Sequence, residues 1–464
     1  MQPQRQNSAL LEEGFSRFRR NIVGIDQCID TPLGRKPLVY ADWTAAGRAY
    51  APIEQQLQKS ILPYFANTHT GSTYTGAAMT AAYEEARTVI KKHVNAAPGD
   101  LLLFCGSGMT AAVGKLQRLL GLRFPARLTE YTGPIPIRES RRPLVLLTHM
   151  EHHSNHISWL ETIATVEIIR PDAQGHPDLD HLAQLLEKYK QRKLKIAAIT
   201  ACSNVTGIET PYHAIAAQMH AHNGYCFVDF AASAPYVHID MHPAQRGAHL
   251  DAIYFSGHKF LGGPGTPGVL IFNKQLYKNP VPDHPGGGTI LYSNPWKEHD
   301  YLPDIEARED GGTPPILQGI KAALAIRLKE EMGIDNILQR EKQLLGRVFP
   351  ALTAIPGVSI LAPNDKHRLG IISFLVHNVH HDTFVQKLND RFGIQTRGGC
   401  SCAGPYGHHL LQIDPTRSQT IREKLRAGDL HSKPGWVRLS LHPTMTDTEL
   451  DYILDAIENC VALA

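Results

Sequence analysis

Apolar positions along this chain fall into short continuous runs separated by stretches with helical spacing. Runs of four to six residues at 100–105, 143–147, 166–169, 196–200, 226–229, 252–255 and 269–272 have the length and composition of buried strands. Helical spacing at 109–120, 178–189 and 211–222 fills gaps between them. Strands alternating with helices predict right-handed crossovers and a mainly parallel sheet of the seven-stranded type, flanked by helices, in an α/β unit. Upstream, the pattern predicts helices at 8–24, 53–64 and 77–94, a strand at 37–43 and a polar loop at 67–76. Downstream of a Pro- and Gly-rich stretch (280–315), residues 316–349 read as helix. Strands at 358–361, 370–376 and 437–441 around a helix at 382–391 predict a smaller α+β unit. The expected division is a large unit at 38–318 and a small one built from 1–37 and 319–464. Residues 413–435, polar and charged, read as a mobile excursion.

Composition narrows the setting without naming a chemistry. Hydrophobic content of 42% and charged content of 20% are those of a globular protein of 464 residues, and a net charge of +3 gives no reason to expect nucleic acid or an anionic membrane as partner. Seven thinly spread cysteines fit a reducing compartment. The N-terminal stretch lacks a signal-like apolar core, and no apolar run approaches about 18 residues, so the expected location is cytoplasmic.

Ligands of open parallel sheets sit at the carboxyl ends of the strands, and five such ends carry suggestive residues. After 100–105 comes Gly106-Ser107-Gly108-Met109-Thr110 opening a helix, a cradle for phosphate or an ordinary glycine turn. After 143–147 come four histidines in eight residues; their order (His149, His152, His153, His156) does not match a helical zinc motif, so no metal is expected, and a flat imidazole there can stack on a planar ring. After 196–200, Asn204 offers an amide. The run 226–229 ends in Asp229, which needs a cationic partner or a proton, or serves only as a helix cap. The run 252–255 leads into Ser256-Gly257-His258-Lys259, and a lysine in a water-poor pocket can form a Schiff base. Each feature alone has an ordinary structural explanation. Together they supply, in order along successive strand ends, what a pyridoxal phosphate site needs.

With these motifs the sequence resembles the class V aminotransferases of pyridoxal phosphate fold type I, and among them the group-II cysteine desulfurases and selenocysteine lyases. The likeness runs from about Val39 to the C-terminus through Tyr40-Ala-Asp42, Glu151-His152-His153-Ser154-Asn155, Ser203-Asn204-Val205-Thr206-Gly207, Val228-Asp229, Ser256-Gly257-His258-Lys259, Gly286-Gly287-Gly288-Thr289, Gly312-Thr313-Pro314 and Arg397-Gly398-Gly399-Cys400-Ser401-Cys402. The resemblance implies that Lys259 carries pyridoxal 5'-phosphate, Asp229 pairs with its ring nitrogen and His152 stacks on the ring. It implies phosphate contacts from Gly108, Met109, Ser256 and His258, with Thr289 lent to a partner subunit in a homodimer with shared sites. Asn204 would lie near the ring oxygen or the substrate carboxylate, which Arg397 would bind, and Cys402 would be the nucleophile that takes sulfur from L-cysteine (or L-selenocysteine) and passes it to an acceptor protein. The loop 398–407 is expected to be mobile, with Arg397, His408 or His409 beside the thiol. Two departures stand out: Ala232 replaces the family's glutamine, and Cys400 accompanies Cys402. Another class V reaction (transamination, epimerisation, C–S lysis) and a catalytically silent scaffold are the alternatives.

Overall fold

A computed structural model describes residues 2–68, 70–134 and 136–463; His69, in the expected polar loop, lies outside them. Its centre is one seven-stranded sheet. In chain order, after the two-residue β1 (Val39–Tyr40), its strands are β2 (Asp100–Cys105), β3 (Leu144–Thr148), β4 (Thr165–Ile169), β5 (Lys195–Thr200), β6 (Tyr225–Asp229), β7 (Ala252–Ser256) and β8 (Gly268–Asn273). Their spatial order is β2-β8-β7-β6-β5-β3-β4, with only β8 antiparallel to its neighbours. The expected α/β class and mainly parallel sheet are therefore what the chain forms. Burial on both faces explains why most of these strands read as unbroken apolar runs rather than alternating ones.

Helices α1 (Gln2–Arg19), α2 (Tyr74–His93), α3 (Met109–Leu119), α4 (His153–Leu160), α5 (Leu179–Lys188) and α6 (Tyr212–Ala221) precede or connect the strands. In α3, Met109, Ala112, Val113, Leu116 and Leu119 recur at helical spacing and are buried against the sheet. The expected single helix at 316–349 is two, α7 (Ile316–Met332) and α8 (Ile334–Ala354). They break at Gly333, whose φ of 79° suits a residue without Cβ.

A second, antiparallel sheet contains β9 (Val358–Ile360), β10 (Ile371–Val376), β12 (Arg397–Gly399) and β13 (Trp436–Ser440), in the order β9-β10-β13-β12. Between them β11 (Ile394–Gln395) pairs in parallel with β1. On this sheet pack α9 (His381–Phe392), α10 (Gly404–Leu410) and α12 (Asp447–Ala462), while α11 (Pro415–Arg426), which follows α10, has no buried residue. The stretch expected to be an excursion thus carries a helix, α11, whose start is capped by Asp414 accepting from the Arg417 N–H at 2.8 Å. Packing crosses the expected divisions: Phe15 and Phe18 of α1 and Ile320 and Ile326 of α7 join the larger core, and Val39 and Ala41 join the smaller. Among the described residues, no helix is long and apolar enough to cross a membrane.

Candidate active site

The carboxyl ends of β2, β3, β5, β6 and β7 open onto a cavity of about 230 Å³. Gly108, Met109, His152, Asn204, Asp229, Ser256, His258 and Lys259 all line it; from the second sheet come Arg397, Cys402 and Arg438. Ten of the eleven residues singled out from the sequence are therefore brought together. The exception is Thr289, which lies outside this cavity with its hydroxyl donating to the Gly286 carbonyl at 2.7 Å.

One end of the cavity is made of backbone and hydroxyls. Gly108 has φ 98°, and a Cβ there would come within 3.0 Å of His258 Cε1 and 3.1 Å of Ser256 Oγ. Only glycine keeps that space open beside the start of α3. The Met109 N–H donates to Ser256 Oγ at 2.9 Å, and Thr110 and Ser154 share a hydroxyl hydrogen bond at 2.7 Å. A helix start with hydroxyl groups around it suits a phosphate.

In the middle lie the charged groups. Lys259 ends a short turn after β7, and the surface it retains faces the cavity. Burial pushes its amine down to about 8; the Asp229 carboxylate opposes this, while Arg438 and Arg397 add to it. Asp229 ends β6, is 2% exposed, and accepts the Ala231 N–H at 2.8 Å. Burial pushes its carboxyl up to about 6, with Ala231 and Lys259 pulling the other way, so it is ionised at neutral pH. His152 is driven down to about 3 by burial and then by Lys259, and its Nδ1 accepts the Ser154 N–H at 3.1 Å. It is a neutral ring whose proton sits on Nε2. Ala232 lines the same wall.

Behind His152 lies a buried polar knot. Glu151 Oε1 accepts from the Thr148 N–H (3.1 Å), the Thr148 hydroxyl (2.6 Å) and the Thr200 N–H (3.0 Å), and Oε2 accepts from Asn155 Nδ2 (2.7 Å). Asn155 Oδ1 in turn accepts from the Tyr254 hydroxyl at 2.7 Å. The knot ties β3, β5, β7 and α4 together under the ring. Burial raises the Glu151 carboxyl to about 7 against these donors.

The far end is cationic. Arg438, buried in β13, pairs with Asp42 at 2.5 Å and donates to the Asn204 carbonyl at 3.2 Å. Arg397 approaches the other Asp42 oxygen at 3.6 Å, and its side chain is 46% exposed. Asn204 Oδ1 is buried without a hydrogen-bond partner while its Nδ2 donates to the Ser401 carbonyl at 2.7 Å. The sequence reading missed Arg438. The available signal was a charged residue inside the apolar run at 437–441, which pointed to a buried anion.

Cys402 sits in a tight turn over this end. The Ala403 N–H donates to the Cys400 carbonyl at 2.9 Å, and Ser401 and Cys402 have φ of 49° and 56°. Two left-handed residues that are not glycine are strained. Three hydrogen bonds hold them: Asn204 to Ser401, the His153 N–H to the Cys402 carbonyl at 2.7 Å, and the Gly404 N–H to His153 Nε2 at 2.8 Å. The loop read as mobile is thus pinned on one side and continues into α10. His408 and His409 do not line the cavity: His408 bonds Gly404 and Ser418, and His409 packs on His149 and Tyr406, because α10 turns them away from the thiol.

A family model described as aminotransferase class-V matches residues 136–453. A protein of Staphylococcus aureus (strain COL) named as a probable cysteine desulfurase is 30% identical over 382 residues, covering 81% of this chain and 86% of the relative. A probable cysteine desulfurase of Halalkalibacterium halodurans is 31% identical over 386 residues, covering 81% and 87%. The solved structure of a cysteine desulfurase from Thermococcus onnurineus NA1 superposes with a TM-score of 0.75 at 23% identity, covering 97% of this chain and 98% of that one. One from Escherichia coli gives 0.74 at 20% identity with the same coverage. These structures carry the fold across nearly the whole chain, and the sequence matches carry the lineage: the chain belongs to the class V aminotransferase family.

Proposed function

We propose that the chain is a pyridoxal phosphate-dependent cysteine desulfurase, which converts L-cysteine to L-alanine and takes the sulfur onto Cys402 as a persulfide. The observation that carries this reading is the meeting of an amine, a buried carboxylate, a guanidinium and a thiol (Lys259, Asp229, Arg397 and Cys402) on one cavity. The names of the relatives from Staphylococcus aureus and Halalkalibacterium halodurans support it.

The cavity fits the cofactor on its own features: the open space kept by Gly108, the anion-binding start of α3, and the unpartnered amide oxygen of Asn204. When bound, pyridoxal phosphate supplies an electron sink for charge developing on the substrate carbons. Lys259 would hold it covalently and afterwards move protons, a task suited to an amine already lowered to about 8. Asp229, ionised and buried, would keep a proton on the ring nitrogen. His152 would offer its neutral face to the ring, and Gly108, Met109, Ser256 and His258 would hold the phosphate. Arg397, loosely held by Asp42, is free to take the substrate α-carboxylate in bidentate fashion, with Arg438 and Asn204 behind it. The Cys402 thiolate attacks the substrate sulfur; an S–S bond forms as the C–S bond breaks, and Lys259 returns a proton to the carbon, giving alanine.

Thr289, outside the cavity of its own subunit, is read as serving a partner's phosphate in a homodimer. The setting is read as cytoplasmic, with an acceptor protein for the sulfur. Alanine release from L-cysteine, measured in wild type beside Cys402→Ala, tests the reading. Wild type is expected to form alanine and a protein persulfide, and the variant to lose both by at least about 100-fold. Full activity in Cys402→Ala overturns the nucleophile, and an amino-group exchange product instead of alanine favours a transaminase.

A further inference from the structure

Cys400 and Cys402 stand in different chambers. Cys402 lines the site cavity, whereas Cys400 lines a separate groove of about 450 Å³ beneath α11. The same division holds one wall away, where His152 faces the cavity and its neighbour His153 faces the groove. The partition is a single turn, stitched to the start of α4 by the His153–Cys402 and Gly404–His153 hydrogen bonds. The groove has an apolar lining (Ile421 and Leu425 from α11, Trp436 from β13) with cationic Arg422 and Lys433 beside it.

We propose that Cys400 is a second sulfur-carrying thiol, which takes the terminal sulfur from a Cys402 persulfide and presents it in the groove under α11. This rests on the desulfurase reading above. The two Cα atoms are two residues apart and so no more than about 7 Å from each other. The turn that carries them holds two left-handed non-glycine residues, Ser401 and Cys402, so opening the turn relieves strain while the side chains rotate together. The Cys400 thiolate attacks the terminal sulfur of the persulfide. A bond from Cys400 to that sulfur forms and the Cys402–sulfur bond breaks. Cys402 leaves as thiolate with the electron pair and regains the proton that Cys400 gave up. The donor and the product are the same kind of group, so no outside oxidant or reductant takes part. Arg422 and Lys433 face an anionic persulfide once it lies in the groove. The relay empties the cavity-facing thiol for the next substrate and moves the reactive sulfur away from the cofactor end.

Holoenzyme mixed with one equivalent of L-cysteine, without reductant, is trapped by alkylation at increasing times and the persulfide is located by peptide mass mapping. The expected result is persulfide first on Cys402, then on Cys400 as Cys402 falls. In Cys400→Ser it stays on Cys402, and in Cys402→Ser neither position carries it. If alanine forms while the sulfur remains on Cys402 and Cys400 is alkylated as a free thiol throughout, the relay is overturned and the desulfurase reading stands. Release of sulfide with a Cys400–Cys402 disulfide overturns it too, as does persulfide on Cys400 in Cys402→Ser. If no alanine appears in wild type, the underlying reading fails, and the relay with it.

Discussion

At Lys259, burial and charge pull in opposite directions, and burial wins. Its amine, ordinarily charged well above neutrality, is lowered to about 8 even with Asp229 nearby. Only the neutral amine can attack an aldehyde, and it accumulates as pH rises through that value. Loading of cofactor onto apoprotein is therefore expected to speed up from pH 6 and level off above about 8, followed by the growth of visible absorbance; a rate flat across that range contradicts the assignment. Glu341 in α8 shows the same physics in an acid. It is buried, and desolvation raises it to about 8 although the Gly370 N–H opposes this. A folded carboxyl raised above its unfolded value contributes stability that is fully present below about 4.5 and is lost as pH climbs through about 8. Wild type should therefore lose on the order of a few kcal/mol between pH 5 and 8 relative to Glu341→Gln, read as diverging denaturation midpoints. Lysine, aspartate and cysteine positions were legible because rare residues in apolar or glycine-rich surroundings carry a signal. Arg438 was not, since its partner Asp42 lies nearly four hundred residues away in the chain and only folding joins them.

Among the elements, the strands of the large sheet were legible to within a residue or two, because full burial leaves apolar runs bounded by polar turns. Helix α11 was missed. Over its twelve residues only Ile421 and Leu425 form an apolar stripe, too little for periodicity to register. Its start signal, Asp414 followed by Pro415, was present in the sequence. Asp414→Ala is expected to cost about 1 kcal/mol of local stability, seen as faster amide exchange in the first turns of α11 and little change elsewhere. The turn at 400–403 was equally opaque, since nothing in Cys-Ser-Cys announces left-handed backbone. Ser401→Gly should relieve up to about 1 kcal/mol there. Slower exchange of the Ala403 amide, which closes the turn, is the measurement.

For the whole molecule, helices α1 and α12 are tied to each other through α8. The buried guanidinium of Arg340 in α8 reaches Asp447 of α12 at 2.8 Å and Glu12 of α1 at 3.2 Å, and Glu12 also accepts the Asp447 N–H at 3.0 Å. Phe15 and Phe18 pack into the larger core from the same helix. Phe15→Ala should accordingly lower global stability by about 3–5 kcal/mol in chemical denaturation, as for a core residue and unlike a frayed terminus. The sequence made the class and the mainly parallel sheet legible. It did not reveal which core each flanking segment joins, because an amphipathic helix states that it has a partner without stating which one.

The carboxylate of Glu151, encircled by four donors, has its own bearing on acid behaviour. A proton arriving there near neutrality would turn one carboxyl oxygen into a donor, and the Thr148 hydroxyl, 2.6 Å away, can receive it by turning its own hydrogen elsewhere. Because burial outweighs those donors and raises the carboxyl to about 7, the folded state holds that proton more tightly than the unfolded chain does, and mild acidification would steady the cavity floor from below, even with no cofactor or substrate present.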